Sequence, residues 1–464
     1  MELLPEVEEV LAVFKESNFE IYLVGGCVRD YIMERKINDI DMCTNAKPKD
    51  IMKLFNRVIP LGIKYGTVHI LVGDKEFEVT TYRKDGIYKD GRKPESVKFV
   101  SELKDDLERR DFTINAMAYN PDKGLIDIFG GKKDIKSKIV RTVGDPNKRF
   151  SEDALRMIRG IRFATELEFS IEKETFNTIV KNKELINKIS KDRIRNELNK
   201  ILISNHLETG MKYLIDTELY NILFERQYET YEEQYQIVHE RVKNLDLIDL
   251  SDEEALKVVI SVLFYNRKNT EQSIEFAYKY LKKYNYPNTI TKDVLNILKY
   301  IDMIPDDIAM IDEKFLRKQI SKLRQLYPLY LSVMKAIFYE DKKELIEHIL
   351  DKLCKIDHKS IIYMKNELAI NGKDLIELGF PRGKAISVAL DELMDLVLEK
   401  PELNTKDNLL DYIRKTGIEG YIREDPSVKL KKNSIERLKS EIVLNNRLVN
   451  EAKILDQHME KLGL

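Results

Sequence analysis

The sequence predicts an α+β protein: a small mixed sheet with helices near the N-terminus, followed by a long all-helical remainder. Strand-like runs rich in β-branched residues and bounded by glycine gather ahead of residue 140, at Ile21–Val24, Thr67–Val72 and 76–82. Beyond that point the apolar residues recur predominantly with helical spacing. A chain of 464 residues also exceeds what a single core holds, so several domains are expected.

Composition narrows the class. Apolar residues make up 43% of the chain, ordinary for a globular protein, and no stretch approaches the ~20 apolar residues of a membrane span. The opening Met-Glu-Leu-Leu-Pro-Glu is acidic and amphipathic, unlike a secretory signal or transit peptide, which leads us to expect a cytoplasmic protein. Three scattered cysteines (Cys27, Cys43, Cys354) are too few for a disulfide framework or a zinc module. A net charge of −2 gives no global signal for nucleic acid, so an RNA partner must be held by local basic surfaces. The stretch 181–200, with Lys181, Lys183, Lys188, Lys191, Arg193, Arg195 and Lys200, is one such surface or simply a solvated helix face.

Taken in order, residues 3–15 have helical periodicity and lead into the first strand. That strand ends at Gly25-Gly26, where the missing Cβ atoms let backbone N–H groups approach an anion closely. Arg29 follows three residues later, placed to bond phosphate oxygens. Asp39 and Asp41 then bracket one apolar residue. On a strand both carboxylates project to the same side and form a site for a hard divalent cation, Mg²⁺ above all. Taken singly, a Gly-Gly is a turn and an Asp-x-Asp a solvated strand end. Together they suggest metal-assisted phosphoryl transfer. Pro48 suits the first turn of a helix over 49–55. Gly73-Asp74 joins the next two strands as a hairpin, with Glu78 on the second. Residues 83–96, polar with Gly86, Gly91 and Pro94, read as a flexible loop.

Farther on, Asp106 to Ala118 reads DLERRDFTINAMA, in which a carboxylate could accept from a ribose 2′-OH and arginines could bind phosphate. At Ser151-Glu152-Asp153, serine is expected as N-cap with acids in the first turn. A helix over 152–156 would make Glu152, Asp153 and Arg156 neighbours on one face. An acceptor beside a donor matches the exocyclic amine and adjacent ring nitrogen shared by C and A, and mismatches the carbonyl of G and U. Alone, the same residues are an ordinary salt bridge.

The spacing Gly-Gly-x-x-Arg-Asp, then Asp-x-Asp, resembles the signature of DNA polymerase β-like nucleotidyltransferases. The flanking residues are similar to the bacterial-type tRNA nucleotidyltransferase and poly(A) polymerase family. The resemblance spans most of 21–198 and, more weakly, 368–409. It implies a polymerase β-like head, with a helical neck, body and tail. By position it implies Asp39, Asp41 and Glu78 as the catalytic set, with Mg²⁺ on Asp39 and Asp41. Gly25, Gly26 and Arg29 would cradle the triphosphate, and Arg110 and Asp111 would choose ribonucleotides, with Asn115 in the same motif. Glu152, Asp153 and Arg156 would select the base, with Glu152 orienting Arg156, and Arg159 and Arg162 would add triphosphate contacts. Residues 191–198 resemble the family's last motif, a helix bracing the site. The loop at 83–96 is full length, whereas the family's CC-adding members have it shortened.

Many bacterial relatives carry a metal-dependent phosphohydrolase segment after about residue 206. Here His239 stands alone, and Tyr265-Asn266 occupies the place expected for a His-Asp pair, so no such activity is expected. In the tail, Lys373, Arg382 and Lys384 are candidate tRNA phosphate contacts or merely solvated cations. The expected division is a head over 1–140, neck 141–205, degenerate body 206–355, tail 356–425 and a polar helical extension 426–464. The implied function is CCA addition to tRNA from CTP and ATP, with no membrane and no obligate protein partner. The alternatives are an A-adding enzyme, a poly(A) polymerase, or a non-catalytic RNA- or nucleotide-binding module.

Overall fold

The structure is a computed structural model. It describes residues 3–416 apart from 38, 87–96, 226–229, 267–268, 306, 339–341, 357–360 and 363. The chain divides into two compact units, Met1–Leu298 and Lys299–Leu464.

The first unit opens with α1 (Pro5–Glu16), which buries Val7, Val10, Leu11 and Phe14. Their i, i+3, i+4, i+7 spacing puts all four on one face. The next strand, β1 (Ile21–Val24), is buried at every position, as befits a strand inside the sheet. It turns through Gly25 into α2 (Gly26–Ile32) and returns as β2 (Asp41–Thr44). Pro48 opens α3 (Pro48–Leu54), as expected. Then come β3 (Val58–Ile59), β4 (Thr67–Val72) and β5 (Lys75–Thr81). β4 buries Val68, Ile70 and Val72, while β5 buries Phe77, Val79 and Thr81, the period-two alternation of a half-buried strand.

The segment expected as loop opens as a strand. β6 (Arg83–Asp85) pairs antiparallel with β7 (Val97–Phe99), and residues 87–96 between them lie outside the described residues. Next are α4 (Leu103–Glu108), β8 (Ala118–Asn120), β9 (Gly124–Ile126) and α5 (Gly131–Lys136). The main sheet runs β3-β4-β5-β2-β1-β8-β9. It is mixed, because β2 and β5 run parallel while the other neighbours are antiparallel. In that parallel pairing Asp41 lies opposite Glu78.

The helical part corrects one expectation. Ser151 does not start a helix. Instead Asp145 caps α6 (Pro146–Glu152), accepting from Asn147 N, with Pro146 in the first turn. α6 ends at Asp153, whose extended backbone (φ −148°, ψ 103°) breaks the helix before α7 (Leu155–Leu167). The Asp153 carboxylate accepts from Leu155 N at 3.1 Å, so it serves the new helix start itself. Asp-Pro supplies both a cap and a pre-set φ, and it outcompetes Ser151 six residues later. α7 is buried nearly all round and passes so close to Phe112 that a Cβ on Gly160 would sit 3.0 Å from the ring. That approach brings Arg156 and Arg159 beside Asp111. α8 (Lys173–Asn182) and α9 (Lys191–Leu202) follow, with α9 packed along α7. The first unit continues through α10 (Leu207–Asp216), α11 (Leu219–Phe224), α12 (Tyr231–Val242), α13 (Asp252–Phe264), α14 (Thr270–Lys283) and the start of α15 (Asn288–Asp302).

In the second unit, α16 (Glu313–Leu323) packs with α17 (Tyr327–Phe338), α18 (Lys343–Lys355) and α20 (Lys384–Glu399). The short α19 (Gly372–Glu377) is held by a capping box between Asn371 and Asp374. The last described helix is α21 (Lys406–Thr416). The helical extension expected over 426–464 lies outside the described residues.

Candidate active site

At the sheet, Asp41 and Glu78 line a cleft of about 190 Å³ with Thr67, Thr80, Arg83, Arg109 and Arg110. Although Asp41 is exposed at the mouth of the cleft, desolvation by the cleft walls raises its carboxyl above its ordinary range; Glu78 and Asp39 push the same way, and Arg110 opposes them. Asp39 is not on the strand: β2 starts at Asp41, and Asp39 is an exposed residue just before it. Strand alternation therefore does not align the two aspartates. The neighbour brought beside Asp41 by register is Glu78. Among the described residues, no three His, Cys, Asp or Glu side chains are gathered tightly enough to hold a metal unaided. The donor set nevertheless suits a hard divalent cation. Two crowded carboxylates that have no ion-pair partner within 4 Å among the described residues are the kind of site a hard divalent cation shares with substrate phosphates rather than closing a protein cage.

Above the cleft, Gly25 has φ 77°, a left-handed backbone that favours glycine. A Cβ there would lie 3.2 Å from Arg110 Nη1 and 3.8 Å from Asp41 Oδ2, so the turn leaves room for both groups. The arginines are fixed from below by Asp106, which is fully buried. It accepts from Arg109 at 2.7 Å and Arg110 at 3.3 Å. Burial raises this carboxyl, but the two guanidinium groups prevail and hold it below its usual value.

Arg109 and Arg110 also wall a second pocket of about 420 Å³, lined by Asp111, Asp153, Arg156, Arg159, Arg193 and their neighbours. The two cavities thus share one arginine wall. In this pocket Arg156 Nη1 donates to Glu152 Oε2 at 2.7 Å and to Arg149 O at 3.1 Å, while Nη2 donates to Arg109 O at 2.8 Å. Asp153 does not pair with Arg156. Its carboxylate takes a two-pronged bond from Arg193 of α9, at 2.5 and 3.2 Å.

Asp111 pairs with Arg159 at 2.7 Å and accepts from Phe112 N and Asn115 Nδ2. Burial pushes its carboxyl up, but Arg159 outweighs burial and brings it down to about 2. Arg159 continues to Glu197 at 3.3 Å, and Glu197 takes Arg162 at 3.1 Å. Arg162 also lies 4.2 Å above the Phe163 ring. At the other end Asn115 accepts from Arg29 at 2.7 Å, and Arg29 is paired with Asp30 at 2.8 Å. One run of bonds therefore joins the glycine turn to α9.

Of the residues singled out from sequence, Gly25, Asp41, Glu78, Arg110, Asp111, Asp153, Arg156 and Arg159 reach one of the two cavities or touch their walls. Arg29, Asn115, Glu152 and Arg162 brace them from behind, while Asp39 stands at the edge. Lys373, Arg382 and Lys384 belong to the second unit and are exposed. The basic stretch 181–200 is partly consumed by internal pairing, as Lys183 binds Glu218 and Arg193 binds Asp153. Sequence reasoning gave no individual role to Asp106, Arg109, Asn196 or Glu197, and did not foresee the part Arg193 plays. The available signal was the 193, 196, 197 spacing, which puts a polar stripe on α9 beside the apolar stripe of Ile194, Leu198 and Ile201. His239 Nδ1 lies 3.0 Å from Glu208 Oε1.

The chain matches three family models. These are "Poly A polymerase head domain" over residues 21–141, "Probable RNA and SrmB-binding site of polymerase A" over 168–229, and tRNA nucleotidyltransferase domain 2 over 250–413. The CCA-adding enzyme of Lactobacillus helveticus is 33% identical over 406 residues, covering 87% of this chain and 95% of that protein. The Bacillus subtilis CCA-adding enzyme is 33% identical over 418 residues, 88% of this chain and 97% of that one. Among solved structures, the Bacillus stearothermophilus CCA-adding enzyme in complex with CTP superposes with a TM-score of 0.69 at 29% identity, covering 89% of this chain and 99% of that one. The Thermotoga maritima CCA-adding enzyme, solved with tRNA, shares the fold at a TM-score of 0.65 and 21% identity, over 89% and 97% of the two chains. With a third of the residues identical over nearly the whole of such relatives, the chain belongs to the CCA-adding enzyme family of tRNA nucleotidyltransferases.

Proposed function

We propose that this protein adds CCA to the 3′ end of tRNA, using CTP and then ATP without a nucleic-acid template. The observation that carries this reading is the shared arginine wall. A nucleotide whose triphosphate lies along Arg109 and Arg110 has its α-phosphate over Asp41 and Glu78 and its base beside Asp153 and Arg156. In the reaction the tRNA 3′-hydroxyl oxygen bonds to the α-phosphorus. The bond from that phosphorus to the bridging oxygen breaks, and pyrophosphate leaves. Asp39 and Asp41 would hold Mg²⁺, which when bound supplies Lewis-acid polarisation and neutralises developing charge. Glu78 accepts the proton of the attacking hydroxyl. Gly25 and Gly26 cradle the triphosphate, with Arg29 supporting it through Asn115.

Arg110 and Asp111 distinguish ribose from deoxyribose. Asp153 accepts from the amine of C or A while Arg156, steadied by Glu152, donates to the ring nitrogen. G and U leave these groups unpaired. Arg159 and Arg162 act through Asp111 and Glu197, and Lys373, Arg382 and Lys384 contact tRNA phosphates. The chain comprises a head over 1–140, a neck over 141–205, a body over 206–355, a tail over 356–425 and an extension over 426–464, and the protein acts in the cytoplasm. No helix among the described residues is long and apolar enough to cross a membrane.

The test is pyrophosphate release on mixing with Mg²⁺, CTP and a tRNA lacking CCA. Release that needs all three supports the reading. Nucleotide or RNA binding without release indicates a binding module instead.

A further inference from the structure

We infer that Arg193 is a specificity-determining positioning residue, holding the Asp153 carboxylate at the orientation in which it reads the base. The inference rests on the reading of Asp153 as base acceptor given above. Asp153 occupies the break between α6 and α7, so no helix of its own fixes its side chain. Two bonds do. Leu155 N donates to Oδ1 at 3.1 Å, and the Arg193 guanidinium grips both oxygens, Nη1 to Oδ1 at 3.2 Å and Nη2 to Oδ2 at 2.5 Å. A planar fork on a planar carboxylate sets its rotation as well as its position, which a point charge does not. The ion pair is partly screened, with side-chain exposures of 23% for Arg193 and 14% for Asp153, and both residues line the pocket.

Arg193 is itself held firmly. Arg195, two residues along α9 and so on nearly the opposite face, donates to Tyr284 O at 3.0 Å and to Asn285 O at 2.5 Å. Glu197, one turn beyond Arg193, takes Arg159 and Arg162. α9 is thereby pinned on two sides, and Arg193 delivers that rigidity to a residue in a helix break 40 positions earlier. With the fork removed, only the bond from Leu155 N to Oδ1 remains, and the carboxylate can turn about it. The acceptor no longer stays opposite the amine, and the penalty against a carbonyl in its place falls.

The experiment is single-turnover incorporation by the full chain with Mg²⁺. CTP and UTP are compared on a tRNA transcript lacking CCA, and ATP and GTP on one ending in CC. R193Q should lower the CTP-to-UTP and ATP-to-GTP preferences by about 10-fold or more. R193K, which keeps the charge but not the fork, should fall between R193Q and wild type, and it serves if R193Q does not fold. A merely structural Arg193 would slow all four nucleotides equally. Unmoved ratios in a folded variant beside a wild type that adds CCA overturn this inference alone, and a wild type that adds no CCA overturns the proposed activity with it.

Discussion

The two cavities of this site follow opposite electrostatic plans. In the cleft at the sheet, Asp41 and Glu78 stand side by side, Asp39 adds a third negative charge nearby, and among the described residues none of the three has an ion-pair partner within 4 Å. In the helical pocket the carboxylates of Asp111, Glu152, Asp153 and Glu197 are each paired with an arginine at 3.3 Å or less. Crowded like charges are costly without a counter-ion, so the first plan is that of a site completed by its ligand. Fully paired groups keep their places with or without a ligand, so the second is that of a preformed surface that can discriminate between bases.

That contrast is most strongly tested in the cleft. D41A and D39A should each lower nucleotide incorporation by about 1000-fold while leaving tRNA affinity within about 2-fold, read by primer extension and fluorescence anisotropy. Stripping the protein with EDTA should abolish incorporation, and added Mg²⁺ should restore it. Wild-type turnover in either variant would remove the carboxylates from the chemistry.

In the pocket, E152Q should weaken the brace on Arg156 and reduce kcat/KM for CTP and ATP together by about 10-fold, with little change in unfolding. A loss confined to one nucleotide would contradict a shared base-reading surface.

Asp111 should show the cost of breaking a paired group. Its folded pKa, about 2, lies below the ordinary 3.8. Its ionisation therefore contributes about 2 kcal/mol that is fully present above pH 4 and is lost as the pH falls through 2. D111N should remove a similar amount at neutral pH, flatten that acid limb of a denaturant titration, and narrow the preference for ATP over dATP. A variant as stable as wild type would mean that the Arg159 pair contributes nothing net.

The smallest effect is chemical. Burial pushes the Cys27 thiol up to about 11 and the Cys43 thiol well above its ordinary value, whereas Cys354 is exposed. Native protein should thus take up one maleimide per chain, at Cys354, without losing activity.

The two regions also differ in how far the sequence revealed them. The cleft is local. Alternation in 67–72 and 76–82, the Gly-Gly turn and the positions of Asp41 and Glu78 are all readable from period and turn chemistry. What was not readable there is where β2 begins, since pairing with β1 and β5 stops at Asp41 and leaves Asp39 outside. The pocket is assembled from distant segments. Asp153 meets Arg193, Asp111 meets Arg159, and Arg156 meets the carbonyl of Arg109 across 40 to 48 positions. No local pattern announces such pairs. The break at Asp153 was hidden because Ser151 and Asp145 are both competent caps, and the tertiary fit of α7 against Phe112 also bears on where the new helix starts.

The most direct measurement is nucleotide addition, with Mg²⁺, to three tRNA transcripts ending before CCA, after C and after CC, resolved to single nucleotides. The account predicts completion to CCA on all three followed by a stop. Addition of A to the CC-ended transcript alone, an A ladder running past the CCA end, or no extension of any transcript would contradict it.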